Sequence, residues 1–266
     1  MKRQVSVITS SANPHIKRLR SLATDKRDRR RERSFLLEGV RLVATALEAG
    51  APLDLVLYAP EQLASTASGR ALLAQIEKLP YAYAASEQAV AAACETVSPQ
   101  GVVAAAPWPE LETRPGQLVL ILDGVQDPGN VGTLLRTAEA VGASEVICIK
   151  GSADLYSPKV VRSAMGAHFF LPLRVDFAWE EVASYLGQRY TIYAADAEAE
   201  LSYFDVDWSR PSALVVGNEA NGLSAAALQH AHSMLSIPMV GRSESLNAAV
   251  AGSVIMFEAL RQRRNA

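Results

Sequence analysis

The sequence predicts an α/β protein in two parts, a small domain over residues 1–106 and a larger one over 117–266. Three observations carry this. Short strand-like runs alternate with helical patterns along most of the 266 residues, which is the mark of sheets with helices laid over them. The alternation is interrupted once, at 107–116, where three prolines and few apolar residues make a linker. Runs such as Leu118 to Leu122 are apolar at every position, as expected of a strand covered on both faces.

The first part opens at Asn13-Pro14, a helix start, and stays helical in pattern to residue 33, with Ile16, Leu19 and Leu22 as a thin apolar stripe. Ser34 to Gly39 is strand-like. Val40 to Ala49 is a helix closed by Gly50. Asp54 to Tyr58 is a strand, Gln62 to Leu79 a helix, Tyr81 to Ala84 a strand, Glu87 to Cys94 a short helix and Val102 to Ala105 a strand. In the second part the strand at Leu118 leads into a turn, Asp123 to Asn130, and then a helix marked by Val131, Leu134, Leu135, Ala138 and Val141. Glu145 to Ile149 is a strand, and Ser157-Pro158 starts a helix toward His168. Trp179 to Leu186 is helical, Thr191 to Ala195 and Ala213 to Gly217 are strands, and Ala225 to Gln229 is a short helix. A short apolar run (Leu235, Ile237, Met239) ends in a polar loop, Arg242 to Asn247. The last helix has Val250, Val254, Ile255, Phe257 and Leu260 at the spacing of one buried face, with Ala248, Ala249, Ala251, Gly252 and Ser253 small enough for close backbone approach.

Composition bounds the function. Net charge is −2, yet residues 1–41 hold twelve Lys and Arg against four acids, a local +8, while the rest of the chain carries −10. Such asymmetry points to a polyanion met at the basic end. The alternative is a solvated helix face. Cys94 and Cys148 sit apart in apolar surroundings, so core thiols are expected and no disulfide is required. His230 and His232 are two apart, which turns them away from each other on a helix, so no metal site is expected. The N-terminus lacks an apolar signal core and no run is long enough to span a bilayer, which makes a cytoplasmic, non-membrane protein the expectation.

Three loops concentrate the polar residues of the second part: Asp127 to Arg136, Leu214 to Ser224 and Ile237 to Asn247. Each follows a buried strand, where open α/β sheets place ligands. Gly129, Gly132 and Gly217 permit close backbone approach, and the helix after Asn130 offers an anion its N-terminus. A dinucleotide fold is disfavoured: there is no G-x-G-x-x-G, and the next strand ends at Lys150, not at an acidic ribose ligand. On residue type alone, Arg136 could be a surface arginine and Glu219 a solvated loop carboxylate.

In order and spacing, however, Asn130-x-Gly132-x-x-x-Arg136, Gly217-Asn218-Glu219-x-x-Gly222-Leu223-Ser224 and Ile237-Pro238-Met239…Ser245-Leu246-Asn247 resemble the three motifs of the SpoU/TrmH group of SPOUT RNA methyltransferases. Ser157 to His168 resembles that family's segment after the second strand, and Asn13 to Gly39 is similar to an L30e-like substrate-binding domain. The resemblance implies a C-terminal α/β domain with a deep trefoil knot. It implies S-adenosylmethionine bound at Gly217, Asn218, Ile237, Met239, Leu246 and Asn247, with backbone groups at Gly217, Ile237 and Leu246 holding adenine and ribose. It implies 2′-O-methylation of a ribose, with Arg136 activating or orienting the hydroxyl and Asn130, Glu219, Ser245 and Asn247 fixing Arg136, the methionine part and the target. No metal is called for. RNA is expected on Lys17, Arg18, Arg29, Arg30, Arg31 and Arg33, ribosomal rather than transfer RNA, and the partner in assembly is a second copy joined through the knotted domain. A transfer-RNA 2′-O-methyltransferase, a base methyltransferase and a non-catalytic RNA-binding protein remain as alternatives.

Overall fold

The computed structural model describes residues 7–113 and 116–264; Lys2 and Arg3 of the basic segment and residues 114–115 of the expected linker lie outside them. The chain forms two compact units, one of residues 1–109 with 156–169 and one of 110–155 with 170–266.

The first unit contains α1 (Pro14–Thr24), α2 (Lys26–Glu32), β1 (Ser34–Glu38), α3 (Val40–Glu48), β2 (Leu55–Tyr58), α4 (Pro60–Ala64), α5 (Ala67–Ile76), β3 (Ala82–Ala84), α6 (Glu87–Ala91) and β4 (Val102–Pro107). Its sheet runs β1-β4-β2-β3, antiparallel except for the β2–β3 pair. Ile16, Leu19 and Leu22 are fully buried against Leu36, Leu57 and Val103, so the thin stripe is the helix's core face.

Two expected helices are broken, each by a capping residue. The helix over 13–33 stops at Asp25, which is extended and accepts a hydrogen bond from the Arg27 N–H, capping α2. The helix over 62–79 is α4 and α5, and Thr66 caps the second by accepting from the Gly69 N–H. The break at Asp25 changes the meaning of the basic run. Arg29 is 5% exposed and donates to the carbonyls of Leu22 and Ala23, orphans at the end of α1. Arg29 is therefore a cap, not the RNA-facing cation expected of it. Arg18 pairs with Glu32 and Asp54, and Arg31 with Asp28. Arg33 lies over the Trp108 ring. Lys17, Arg30, Arg31 and Arg33 are exposed.

The later helix of this unit, α8 (Pro158–Ala164), comes from residues expected in the second domain. It is tied in by a buried charge: Glu38 accepts from the Glu95 and Thr96 N–H groups and pairs with Arg162 at 2.9 Å. Tyr156 stacks on Trp108 at 4.2 Å.

The second unit holds β5 (Leu118–Asp123), α7 (Pro128–Ala140), β6 (Glu145–Ile149), β7 (Leu173–Phe177), α9 (Trp179–Leu186), β8 (Thr191–Ala195), β9 (Ser212–Gly217), α10 (Ala225–His230), β10 (Ser233–Leu235) and α11 (Ala248–Arg264). Its six strands are all parallel in the order β10-β8-β9-β5-β6-β7, the α/β architecture expected. β7 was not anticipated; it is an edge strand whose residues are mostly half-buried, so it lacks the continuous apolar run of its neighbours. α7 starts at Pro128, three residues before the expected helix, which moves Asn130 from a turn into the first turn of the helix.

The face of α11 is also different. Its buried residues are Ala249, Gly252, Ile255, Met256, Glu258 and Ala259, whereas Val250 and Phe257 are 47% and 52% exposed. The small residues do the packing: a Cβ on Gly252 would lie 2.6 Å from Leu134 and 3.0 Å from Val216, so α11 rests directly on α7 and β9. Thr137 and Ser253 hydrogen bond across that seam at 3.0 Å.

Cys148 is buried and Cys94 half-buried, and burial together with the nearby Glu38 carboxylate pushes the Cys94 thiol up, which keeps it protonated. His230 stacks on Trp179, and His232 accepts the Ile192 N–H through Nδ1. Among the described residues there is no group of metal-ligating side chains, and no helix is long and apolar enough to cross a membrane.

Candidate active site

The three polar loops meet at the carboxyl ends of β5, β9 and β10. The first carries the start of α7. Asp127 caps it by accepting from the Asn130 N–H at 2.9 Å, and Pro128 fills a position where no N–H is needed. The second loop is a tight return in which Asn218 and Gly222 exchange backbone hydrogen bonds. Gly222 has φ +67, and a Cβ on Gly217 would lie 2.6 Å from the Gly222 carbonyl oxygen, so both positions require glycine. The third is the irregular stretch from Ile237 to Asn247, ended by Asn247 accepting from the Ala249 and Val250 N–H groups at the start of α11.

A directional chain of hydrogen bonds joins them. Glu219 reaches from the second loop to the first, where its two oxygens accept from the Gln126 and Asp127 N–H groups, each at 3.0 Å, and from Asn130 Nδ2 at 2.9 Å. A carboxylate only accepts, so Asn130 must turn its amide nitrogen to Glu219 and leave Oδ1 outward. That oxygen accepts from Asn247 Nδ2 at 3.0 Å, and this in turn directs Asn247 Oδ1 at the N–H groups of α11. Each amide orientation is thus set by the carboxylate at the end of the chain. Partial burial would raise the Glu219 carboxyl, but the hydrogen bonds from Asn130, Gln126 and Asp127 outweigh it and hold the group below the usual carboxylate range. Glu219 also occupies the N-terminus of α7, so the anion bound there is the protein's own.

Next to this clamp is a cavity of about 680 Å3, within the range of small-molecule sites. Gly217, Asn218, Glu219, Ile237, Met239, Ser245, Leu246 and Asn247 all line it. Val216, Leu235, Ile237, Leu246 and Ile255 give it apolar walls. The backbone N–H groups of Ile237, Met239 and Leu246 meet no acceptor among the described residues, so they are open to a ligand. Asn218 contributes backbone only: its amide donates to the Gly124 carbonyl and its oxygen accepts from the Ala220 and Asn221 N–H groups. Asn130 stands behind the wall. Arg136 is not brought to the cavity; it is exposed on α7 and makes no hydrogen bond or ion pair among the described residues. The expected RNA-binding cations all belong to the other unit.

Sequence inspection missed two groups. Asp123, 3% exposed at the end of β5, accepts from Trp179 Nε1 and from the N–H and hydroxyl of Ser224, pinning the far end of the second loop. Ala195 to Glu198, from the end of β8 onward, form another wall. The placement of both at strand carboxyl ends was the available signal.

Residues 117–257 match the SpoU rRNA Methylase family, and residues 13–104 match the MRM3-like substrate binding domain. The chain is 33% identical to a 23S rRNA (guanosine(2553)-2′-O)-methyltransferase of Bacillus subtilis over 94% of its length and 97% of the relative's. It is likewise 33% identical to a 23S rRNA (uridine(2479)-2′-O)-methyltransferase of Streptomyces viridochromogenes, covering 96% and 92%. Among solved structures, the SpoU methyltransferase AviRb of Streptomyces viridochromogenes in complex with AdoMet superposes with a TM-score of 0.83 at 31% identity, over 96% of this chain and 99% of that one. With the family matched over more than half of its residues, the chain belongs to the SpoU rRNA methylase family.

Proposed function

We propose that the protein transfers a methyl group from S-adenosylmethionine to a ribose 2′-hydroxyl of ribosomal RNA. The observation that carries this is the Glu219–Asn130–Asn247 chain, which ties the first family motif to the two that line one cavity. The residues fit the cofactor: apolar walls suit adenine, and free N–H groups at Ile237, Met239 and Leu246 suit its ring nitrogens and the ribose. When bound, S-adenosylmethionine supplies a methyl already activated by the sulfonium. Gly217, Ile237 and Leu246 hold its adenosine end. Ser245 and Asn247 hold the methionine end or the target nucleotide, and Glu219 and Asn130 keep those groups in place. Glu219 is a clamp and not the base, because its oxygens are occupied and it is held ionised. Arg136 orients the RNA; a guanidinium carries hydrogen-bond donors only and is a poor proton acceptor. The 23S rRNA specificity of the relatives supports a ribosomal substrate and a cytoplasmic site of action. The test is calorimetry with S-adenosylmethionine and S-adenosylhomocysteine, followed by mapping of modified riboses in RNA from cells with and without the gene. Binding of neither ligand at millimolar concentration, or methylation confined to transfer RNA, would overturn it.

Part of the RNA affinity belongs to the first unit. Replacing Lys17, Arg30, Arg31 and Arg33 together by Ala should weaken RNA binding and flatten its dependence on salt, at unchanged cofactor affinity. Arg29→Ala should act differently. It strands the Leu22 and Ala23 carbonyls and should cost about 1–3 kcal/mol of stability in chemical denaturation. An unaltered salt slope in the first variant would make these residues a solvated face.

The second unit is expected to be knotted and to pair with a second copy through α11. Val250 and Phe257 are apolar and about half exposed there, and Met239 and Leu246 of the third loop are 37% and 38% exposed. Sedimentation should give a dimer at micromolar concentration, and a 28.5 kDa species would refute it.

A further inference from the structure

We infer that the charge of the cavity, set by Asp196 and Glu198 on the loop after β8, makes the site favour the methyl donor over the spent product. The inference rests on the cavity being the S-adenosylmethionine site. Three carboxylates line it, Asp196, Glu198 and Glu219, and no Lys, Arg or His does. Among the described residues none of the three takes part in a salt bridge. The partners of Glu219 are two backbone N–H groups and an amide, which are neutral and leave its charge in place. Asp196 accepts the Glu198 N–H at 2.8 Å through Oδ1, and its own N–H donates to the Leu235 carbonyl at 2.9 Å. The acidic loop, with Asp196 half-buried and Glu198 exposed, is therefore fastened to the strand end that leads into Ile237 and forms one wall of the site.

At neutral pH S-adenosylmethionine carries a sulfonium, an ammonium and a carboxylate, a net +1. Loss of the methyl leaves S-adenosylhomocysteine, whose sulfur is an uncharged thioether and whose net charge is zero. The two ligands share every hydrogen-bonding group, so hydrogen bonds alone hold them about equally. A field from fixed carboxylates separates them; Asp196 is half-buried while Glu198 and Glu219 are exposed, so the field is moderated by solvent and falls with salt. The same field disfavours phosphate, which keeps the RNA backbone out of the donor slot while the uncharged ribose can approach. Product would then leave without the loop having to open.

The test is calorimetry on the full-length protein with three ligands: S-adenosylmethionine, S-adenosylhomocysteine, and an unreactive adenosyl analogue with an amine in place of the sulfonium. Asp196→Asn keeps the oxygen that accepts the Glu198 N–H, and Glu198→Gln keeps the shape of the side chain. The double variant should bind the donor and the cationic analogue roughly threefold to tenfold more weakly, and the product within about twofold of the parent. Raising salt should shrink the donor–product difference in the parent more than in the variant, where Glu219 alone remains. Equal weakening of all three ligands would show that the carboxylates accept hydrogen bonds from the shared adenosine, and no change in any would show them solvated; either result overturns the inference. A parent that binds none of the three would instead remove the cofactor assignment.

Discussion

Glu219→Gln is expected to lower S-adenosylmethionine affinity and methyl transfer together by on the order of 100-fold. The carboxylate accepts three hydrogen bonds that close the first two loops on each other. Glutamine has one acceptor oxygen, so its NH2 must face either the Asn130 amide or a backbone N–H, donor against donor. Charge-assisted hydrogen bonds contribute about 1.5–3 kcal/mol each, and losing one or two of them accounts for the expected factor. The damage should pass down the chain, since an Asn130 no longer held by a carboxylate can rotate and release Asn247. Glu219→Asp keeps the charge but is shorter by one methylene, and should recover only part of the affinity. The pH dependence has a fixed sign. A carboxyl held below its usual range contributes stability that is full above the ordinary carboxylate pKa and is lost as pH falls through the depressed value. Cofactor affinity of the parent should therefore fall on the acid side, below the ordinary range, and the glutamine variant should lack that limb. Calorimetric titration across pH measures both, and a variant with parental affinity at neutral pH would dismiss the clamp.

What could be read from the sequence depended on how each signal is carried. β5 and β9 were legible because strands covered on both faces spell unbroken apolar runs, Leu118 to Leu122 and Ala213 to Val216. β7 escaped because an edge strand needs no such run. The breaks at Asp25 and Thr66 are single capping side chains inside otherwise helical patterns, and periodicity does not register a cap. In α11 the apolar residues at helical spacing point to a buried face, whereas contact with α7 is made by Gly252 and Ser253, and bulk at Gly252 would hold the helices apart. Of the site, the motif residues were legible as types in order, and the cavity gathers most of them. Their division of labour was not. That Asn218 spends its side chain on its own loop, that Arg29 caps α1, and that lone acids such as Asp123 and Asp196 belong to the site are facts of partner and direction, which a linear pattern does not encode.

Arg136→Ala is the variant that separates chemistry from binding. Arg136 lies six residues past Asn130 on α7, about 9 Å further along the helix, and is exposed beside the buried Leu134 and Leu135. It does not line the cavity, and it is bound to no other side chain among the described residues. An exposed arginine free of internal partners is available to a polyanion, and its planar fork matches a phosphate. Its removal should leave S-adenosylmethionine affinity within a few-fold, because the cavity is lined by other loops. Methyl transfer to RNA should fall by at least ~100-fold, the scale of a lost positioning group. Arg136→Lys tells two roles apart. It should rescue little if two parallel hydrogen bonds orient the ribose, and substantially if only a positive charge is required. Single-turnover assays with labelled cofactor and transcribed ribosomal RNA read the chemical step without product release. Transfer by the alanine variant at the parental rate would remove Arg136 from the reaction and leave orientation of the 2′-hydroxyl to the third loop, where Ser245 is the side chain to replace next.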